Sequence, residues 1–150
     1  MKKIRTAIAV FATVFALGIA GAPPAQATIR AERCFTNQFA GLSARMCVAV
    51  NEHSQYHWLE GYLGMSQNSG LAVWVDFVRI YRGQNLIDAN TYPSWYSAPQ
   101  SFTTDWATNC LSPGSWSAKA RYRFKRISDG AISGWFTNSS GTFNHPGACF

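Results

Sequence analysis

Within residues 115–125, SWSAKARYRFK, four cations recur at every second position from 119 onward: Lys119, Arg121, Arg123 and Lys125. In an extended strand, side chains two apart share a face at about 6.6–6.8 Å spacing, so these four form a line of positive charge. Such a line can dock phosphate, carboxylate or sulfate groups of a polyanion through salt-sensitive contacts. It can equally be a solvated face, because unit charges about 7 Å apart in water repel by only about 0.6 kcal/mol. The interleaved Trp116, Ala118, Ala120, Tyr122 and Phe124 then face a core. No Asp or Glu occurs in residues 130–150, so the segment that follows cannot neutralise the line in any register.

A second candidate is the aromatic group Tyr92, Trp95 and Tyr96 in TYPSWYSAP. Rings on a proline-stiffened loop can stack on sugars or anchor a protein partner, and they can also cap one end of a core. His53 and His57 lie four apart between Glu52 and Glu60, without the H-E-x-x-H order that sets a general base beside zinc; they read as a surface pair. His145 has no evident partner. No metal site is expected, since the cysteines lack C-x-x-C spacing, and nothing calls for a cofactor. No G-x-S-x-G, S-x-x-K or phosphate loop is present, so no catalytic residue is expected. What remains for catalysis is a glycosidase-like carboxylate pair drawn from Glu52, Glu60 and Asp76.

The elements that must position these residues belong to one small exported domain. Residues 1–27 read as an export signal, with Lys2, Lys3 and Arg5 ahead of an apolar run and PPAQA, and cleavage expected after Ala27. The mature domain, residues 28–150, is expected to be secreted, with no membrane span after cleavage. Three of the thirteen cations leave with the signal while all seven acids stay, so the net charge falls from +6 to +3. That mild charge, without a recognised motif, argues against nucleic acid as the partner. The basicity is local: after Cys110 the chain holds five cations against Asp129 alone. An even cysteine count in an exported chain implies two disulfides. Of the three pairings of Cys34, Cys47, Cys110 and Cys149, the favoured one joins Cys34 to Cys47 and Cys110 to Cys149, closing an N-terminal hairpin and pinning the C-terminus.

Strand signals recur between turns, and no window carries a capped helical period, so the fold class is all-β. Residues 71–82, LAVWVDFVRIYR, suit a central strand. Residues 83–100 read as a long loop holding a short edge strand, because two prolines and many small polar residues occur there. Asp129 and Gly130 suggest a two-residue hairpin that pairs Phe124 with Trp135, and sets Arg121, Arg123 and Lys125 against Asn138, Phe136 and Gly134.

Leu111, Pro113, Gly114, Ser115 and Trp116, then the alternation and SGWFTNSSGT, resemble the last two strands of a fibronectin type III or immunoglobulin-like domain. The resemblance spans about thirty residues and implies an antiparallel sandwich of six or seven strands, with residues 71–82 beside the basic strand. The family has no fixed catalytic residues, so no functional residue transfers. The expected function is non-catalytic binding of a cell-wall polymer or an extracellular protein, with a secreted inhibitor or toxin as the alternative and a small glycan hydrolase as the third. The oligomeric state is not legible in the sequence.

Overall fold

The computed structural model describes residues 27–53, 58–66, 70–104, 110–111 and 113–149. The expected signal up to residue 26, His57 and the 67–69 turn lie outside the described residues. Among the described residues eleven strands follow one another: β1 (Ala27–Phe39), β2 (Leu42–His53), β3 (Trp58–Met65), β4 (Leu71–Arg82), β5 (Asn85–Ser97), β6 (Gln100–Thr103), β7 (Cys110–Leu111), β8 (Gly114–Arg126), β9 (Phe136–Ser139), β10 (Phe143–His145) and β11 (Ala148–Cys149). Among the described residues none is helical, and no helix is long and apolar enough to cross a membrane.

All pairing is antiparallel. The first sheet runs β1-β2-β3-β6; the second runs β10-β8-β4-β5, with β9 also on β8; β7 and β11 form a separate pair. Their apolar faces share one core, with Met46, Val48, Val50, Leu59, Leu63 and Phe102 from the first sheet and Val73, Val75, Val78, Ile80, Tyr122 and Phe124 from the second. Each large side chain buried there stabilises the fold by roughly 1.5–3 kcal/mol.

The central position of β4 agrees with its apolar, β-branched composition. Residues 83–100 do not form the expected long loop. Gly83 and Gln84 make a tight turn between paired Arg82 and Asn85, Gly83 at φ 60°, and β5 follows for thirteen residues. The prolines misled because β5 is an edge strand. Trp74 opposes Trp95 and Val75 opposes Tyr92, so Pro93 and Ser94 stand outside the ladder, where a missing N–H loses nothing.

The register after β8 also departs from expectation. Lys125 bridges to Ile132, the Phe124 carbonyl accepts from the Ser133 N–H while the Phe124 N–H donates to the Ser133 hydroxyl, and Tyr122 pairs with Phe136 rather than Phe124 with Trp135. The turn is longer than two residues: the Gly130 N–H donates to the Arg126 carbonyl, and Arg126 and Ala131 both hold the Asp129 carboxylate. Gly134 and Trp135 then both stand opposite Arg123, a bulge that reverses side-chain facing beyond it. Phe136 enters the core against Tyr122 and Phe124, with ring centroids 5.9 and 5.4 Å away, and Trp135 turns outward, 40% exposed.

Polar ties join the sheets. The Tyr122 hydroxyl accepts from the side-chain amides of Asn37, at 2.8 Å, and Asn138, at 2.5 Å. Glu52, buried at 5% exposure, accepts from Arg30 at 2.5 Å and lies 3.7 Å from His145 Nε2, so His145 does have a partner. The Cys34–Cys47 disulfide is formed between directly paired residues of β1 and β2. Cys110 and Cys149 are paired across β7 and β11, but their side chains lie outside the described residues.

Burial pushes the Tyr122 hydroxyl up to about 12 despite its two amide donors. The folded state therefore holds this proton more tightly than the unfolded chain, and its contribution is lost as pH rises from about 10 towards 12, by up to about 2–3 kcal/mol. At neutral pH, Tyr122→Phe should cost roughly 1–3 kcal/mol by leaving two amides without an acceptor. Urea denaturation across the alkaline range should show that deficit shrinking; a deficit independent of pH would contradict the buried hydroxyl.

Candidate functional site

β8 alternates without a break from Trp116 to Phe124, each apolar residue buried and each residue between half-buried. Lys119, Arg121, Arg123 and Lys125 therefore share the outer face of the second sheet, as their spacing requires. Both sides of the row are occupied by rings that the neighbouring strands supply.

On the β4 side, Trp74 stands opposite Arg123, Phe77 opposite Arg121, Arg79 opposite Lys119 and Tyr81 opposite Ser117. A bulge between Val75 and Phe77 makes this possible: Val73 and Val75 point inward before it and Val78 and Ile80 after it, which leaves Trp74, Phe77, Arg79 and Tyr81 outward. On the other side the β8–β9 bulge sets Trp135 over the row. Trp95 of β5 reaches in next to Trp74, their rings edge to face at 5.6 Å.

The cations lie on these rings. The Arg123 guanidinium is 4.6 Å from the centre of Trp135, 5.6 Å from Trp74 and 5.7 Å from Trp95. Arg121 lies 4.8 Å from Trp135, the Lys125 ammonium 4.8 Å from Trp95 and that of Lys119 5.7 Å from Tyr81. Arg79, directly opposite the like-charged Lys119, turns onto Phe77 at 3.8 Å. Each cation–ring contact contributes about 0.5–1 kcal/mol at an exposed site, comparable to the repulsion between neighbouring charges. The rings thus offset the crowding of charge without cancelling the charge.

Carboxylates do little to neutralise the face. Asp76 meets Arg121 at 3.6 Å, with both side chains over two-fifths exposed, a geometry of small energetic weight. Asp129 is committed to Arg126, whose hydrogen bond, followed by that of the Ala131 N–H, holds its carboxyl down to about 2. Asp88 is paired with Ile80, on the opposite side of the sheet. Nε of both Arg79 and Arg123 has no hydrogen-bond partner.

The aromatic candidates divide. Trp95 joins the basic face, whereas Tyr92 and Tyr96 point to the core side and pack on Phe102, with ring centres 4.9 and 5.1 Å away. The Tyr92 hydroxyl bonds the carbonyl of Thr103 and accepts from its N–H. These three residues are strand residues of β5, not a protruding loop, and two of them close the space between β5 and β6. Trp74, Phe77, Arg79, Tyr81 and Trp135 were not singled out by sequence. The near-continuous apolar run of β4 concealed its outward rings, and the expected hairpin register sent Trp135 inward.

The carboxylates considered for catalysis do not converge. Glu60 pairs with Asn51 and so lies on the outer face of the first sheet, where it meets His53 at 3.3 Å. Glu52, the next residue after Asn51, points to the other face. Asp76 belongs to the second sheet. No family model matches the chain, and no curated protein or solved structure matches it. The functional reading therefore rests on this geometry.

A cationic environment around Trp74, Trp95 and Trp135 should favour quenching of tryptophan emission by iodide over quenching by caesium at low ionic strength. Changing Arg121, Arg123 and Lys125 to Gln should bring the two quenching constants together. Equal constants in the unaltered protein would show that the face carries no net positive potential.

Proposed function

We propose that this protein is a secreted, non-catalytic binding module that holds an anionic glycan or other polyanion of the cell envelope along β8. The observation that carries this reading is the setting of Arg123: three indoles hold it, no carboxylate among the described residues neutralises it, and like charges stand on either side along the strand. An anionic group arriving at Arg123 displaces no ion pair. Sugar rings need flat apolar platforms, and the exposed Trp135 supplies one beside the charges. Alternating charge and ring suits a polymer that itself alternates charge and ring.

The finer fold belongs to the same proposal. We read the two sheets as an antiparallel sandwich of the immunoglobulin or fibronectin type III kind. β8 lies between β4 and the C-terminal strands, as the resemblance implies. The plain β1-β2-β3 meander of the first sheet lies beyond the residues that carry it.

The test is co-sedimentation with isolated bacterial cell walls at two salt concentrations. A four-contact polyanion site should lose on the order of 50-fold in affinity between 50 and 200 mM salt. Changing Lys119, Arg121, Arg123 and Lys125 together to Ser should abolish binding, and Trp135→Ala should weaken it at both salts. Binding that survives both high salt and the fourfold change would contradict the proposal. Capture of a protein through another surface, indifferent to glycans, would support the inhibitor reading instead.

A further inference from the structure

The opposite side of the molecule carries a different chemistry. On the outer face of the first sheet an open cleft of about 660 Å³ is lined by Ile29 and Glu32 of β1, Cys47 and Asn51 of β2, Tyr62 and Gly64 of β3, and residues around β6 that include Ser101. That volume falls within the range of small-molecule sites.

Its floor is built by close packing. A Cβ on Gly64 would come within 2.5 Å of the Tyr62 hydroxyl and 2.8 Å of a ring carbon, so the absent side chain lets the Tyr62 ring lie against the strand. The Glu32 carboxylate approaches the Cys34–Cys47 disulfide, within 4.8 Å of both sulfurs, which braces that side of the cleft. Burial first, then the charges of Glu32 and Glu60, raise the Tyr62 hydroxyl above its ordinary value, so Tyr62 stays neutral and two carboxylates lie near it.

Asn51 is 7% exposed, and its Nδ2 donates to Glu60 at 3.1 Å. A carboxylate only accepts, so this bond orients the amide and identifies the other atom as oxygen. That oxygen, Oδ1, has no hydrogen-bond partner. An unsatisfied buried acceptor is costly, and a donor that reached it from the cleft as the floor gave way would relieve it. Arg45 of the same strand face is not among the lining residues. The lining therefore offers a carboxylate, an unpaired amide oxygen, the electron-rich face of a phenol ring and the exposed, apolar Ile29.

We propose that this cleft binds an organic cation, a primary alkylammonium group carried on a short apolar body. The ammonium supplies what the lining lacks: N–H donors for Asn51 Oδ1 and Glu32, and a positive charge over the Tyr62 ring. The alkyl body covers Ile29. The site is independent of the basic face, which lies on the other sheet.

The experiment titrates the protein with hexylammonium chloride and, separately, with 1-hexanol at fixed ionic strength, by calorimetry and by amide NMR. The amine should bind roughly five- to tenfold more tightly than the alcohol. Its addition should shift the Gly64 backbone and Asn51 side-chain amide resonances. Glu32→Gln, at an exposed position, should cut the amine affinity roughly two- to fivefold and leave that of hexanol unchanged. The fourfold β8 change to Ser should leave both affinities unchanged. Equal affinity for amine and alcohol, indifference to Glu32→Gln, or shifts that avoid Asn51 and Gly64 would each overturn the proposal.

Discussion

A β-strand has two faces, and every side chain of β8 is assigned to one of them by the strands on either side. β4 and β9 must agree on that assignment, because a slip of one residue on either side would drive cations into the core or rings out of it. Two bulges make the agreement possible. One, at Asp76, keeps Val78 and Ile80 inward after Val73 and Val75, and the other, at Gly134 and Trp135, brings Phe136 inward beside Tyr122. The core and the basic face therefore have the same cause, and neither can change register without the other.

The same constraint explains how a row of like charges persists in a small domain. Ser133 and Ser140 hydroxyls accept from the N–H groups of Phe124 and Ala118, maintaining hydrogen bonding where the C-terminal segment leaves regular pairing. The charged ends of Arg121, Arg123 and Lys125 lie on the rings of Trp74, Trp95 and Trp135, so each like charge has an attractive partner beside it. The first sheet is organised differently. Its outer face is acidic and concave around Tyr62, so the two outer faces differ in sign and shape.

Much of this was legible in the sequence where one strand's pattern sufficed. The period-two alternation of residues 115–125 fixed both the inward set and the outward cations, and the composition of residues 71–82 marked a central strand. The Cys34–Cys47 hairpin followed from spacing. What was not legible depended on bulges, because a bulge is a property of a pair of strands. The Phe124–Trp135 pairing failed for that reason. The grouping of Tyr92, Trp95 and Tyr96 failed because they lie in a strand, where Trp95, at odd spacing from both tyrosines, takes the opposite face. His145 and Glu52 lie ninety-three positions apart in sequence, and only tertiary packing joins them. The cleft at Tyr62 needs four strands to exist and leaves no trace in any one of them.

The central claim is that Trp74, Trp95, Trp135 and the β8 cations act as one polyanion-binding surface. The indole N–H resonances of the protein, followed by NMR during titration with a soluble anionic wall polymer, test it most directly. The account predicts that the signals of Trp74, Trp95 and Trp135 move together along one binding curve, while Trp116, buried on the opposite face of β8, stays still. If the three do not move, or if Trp116 moves in their place, the surface is not the binding site.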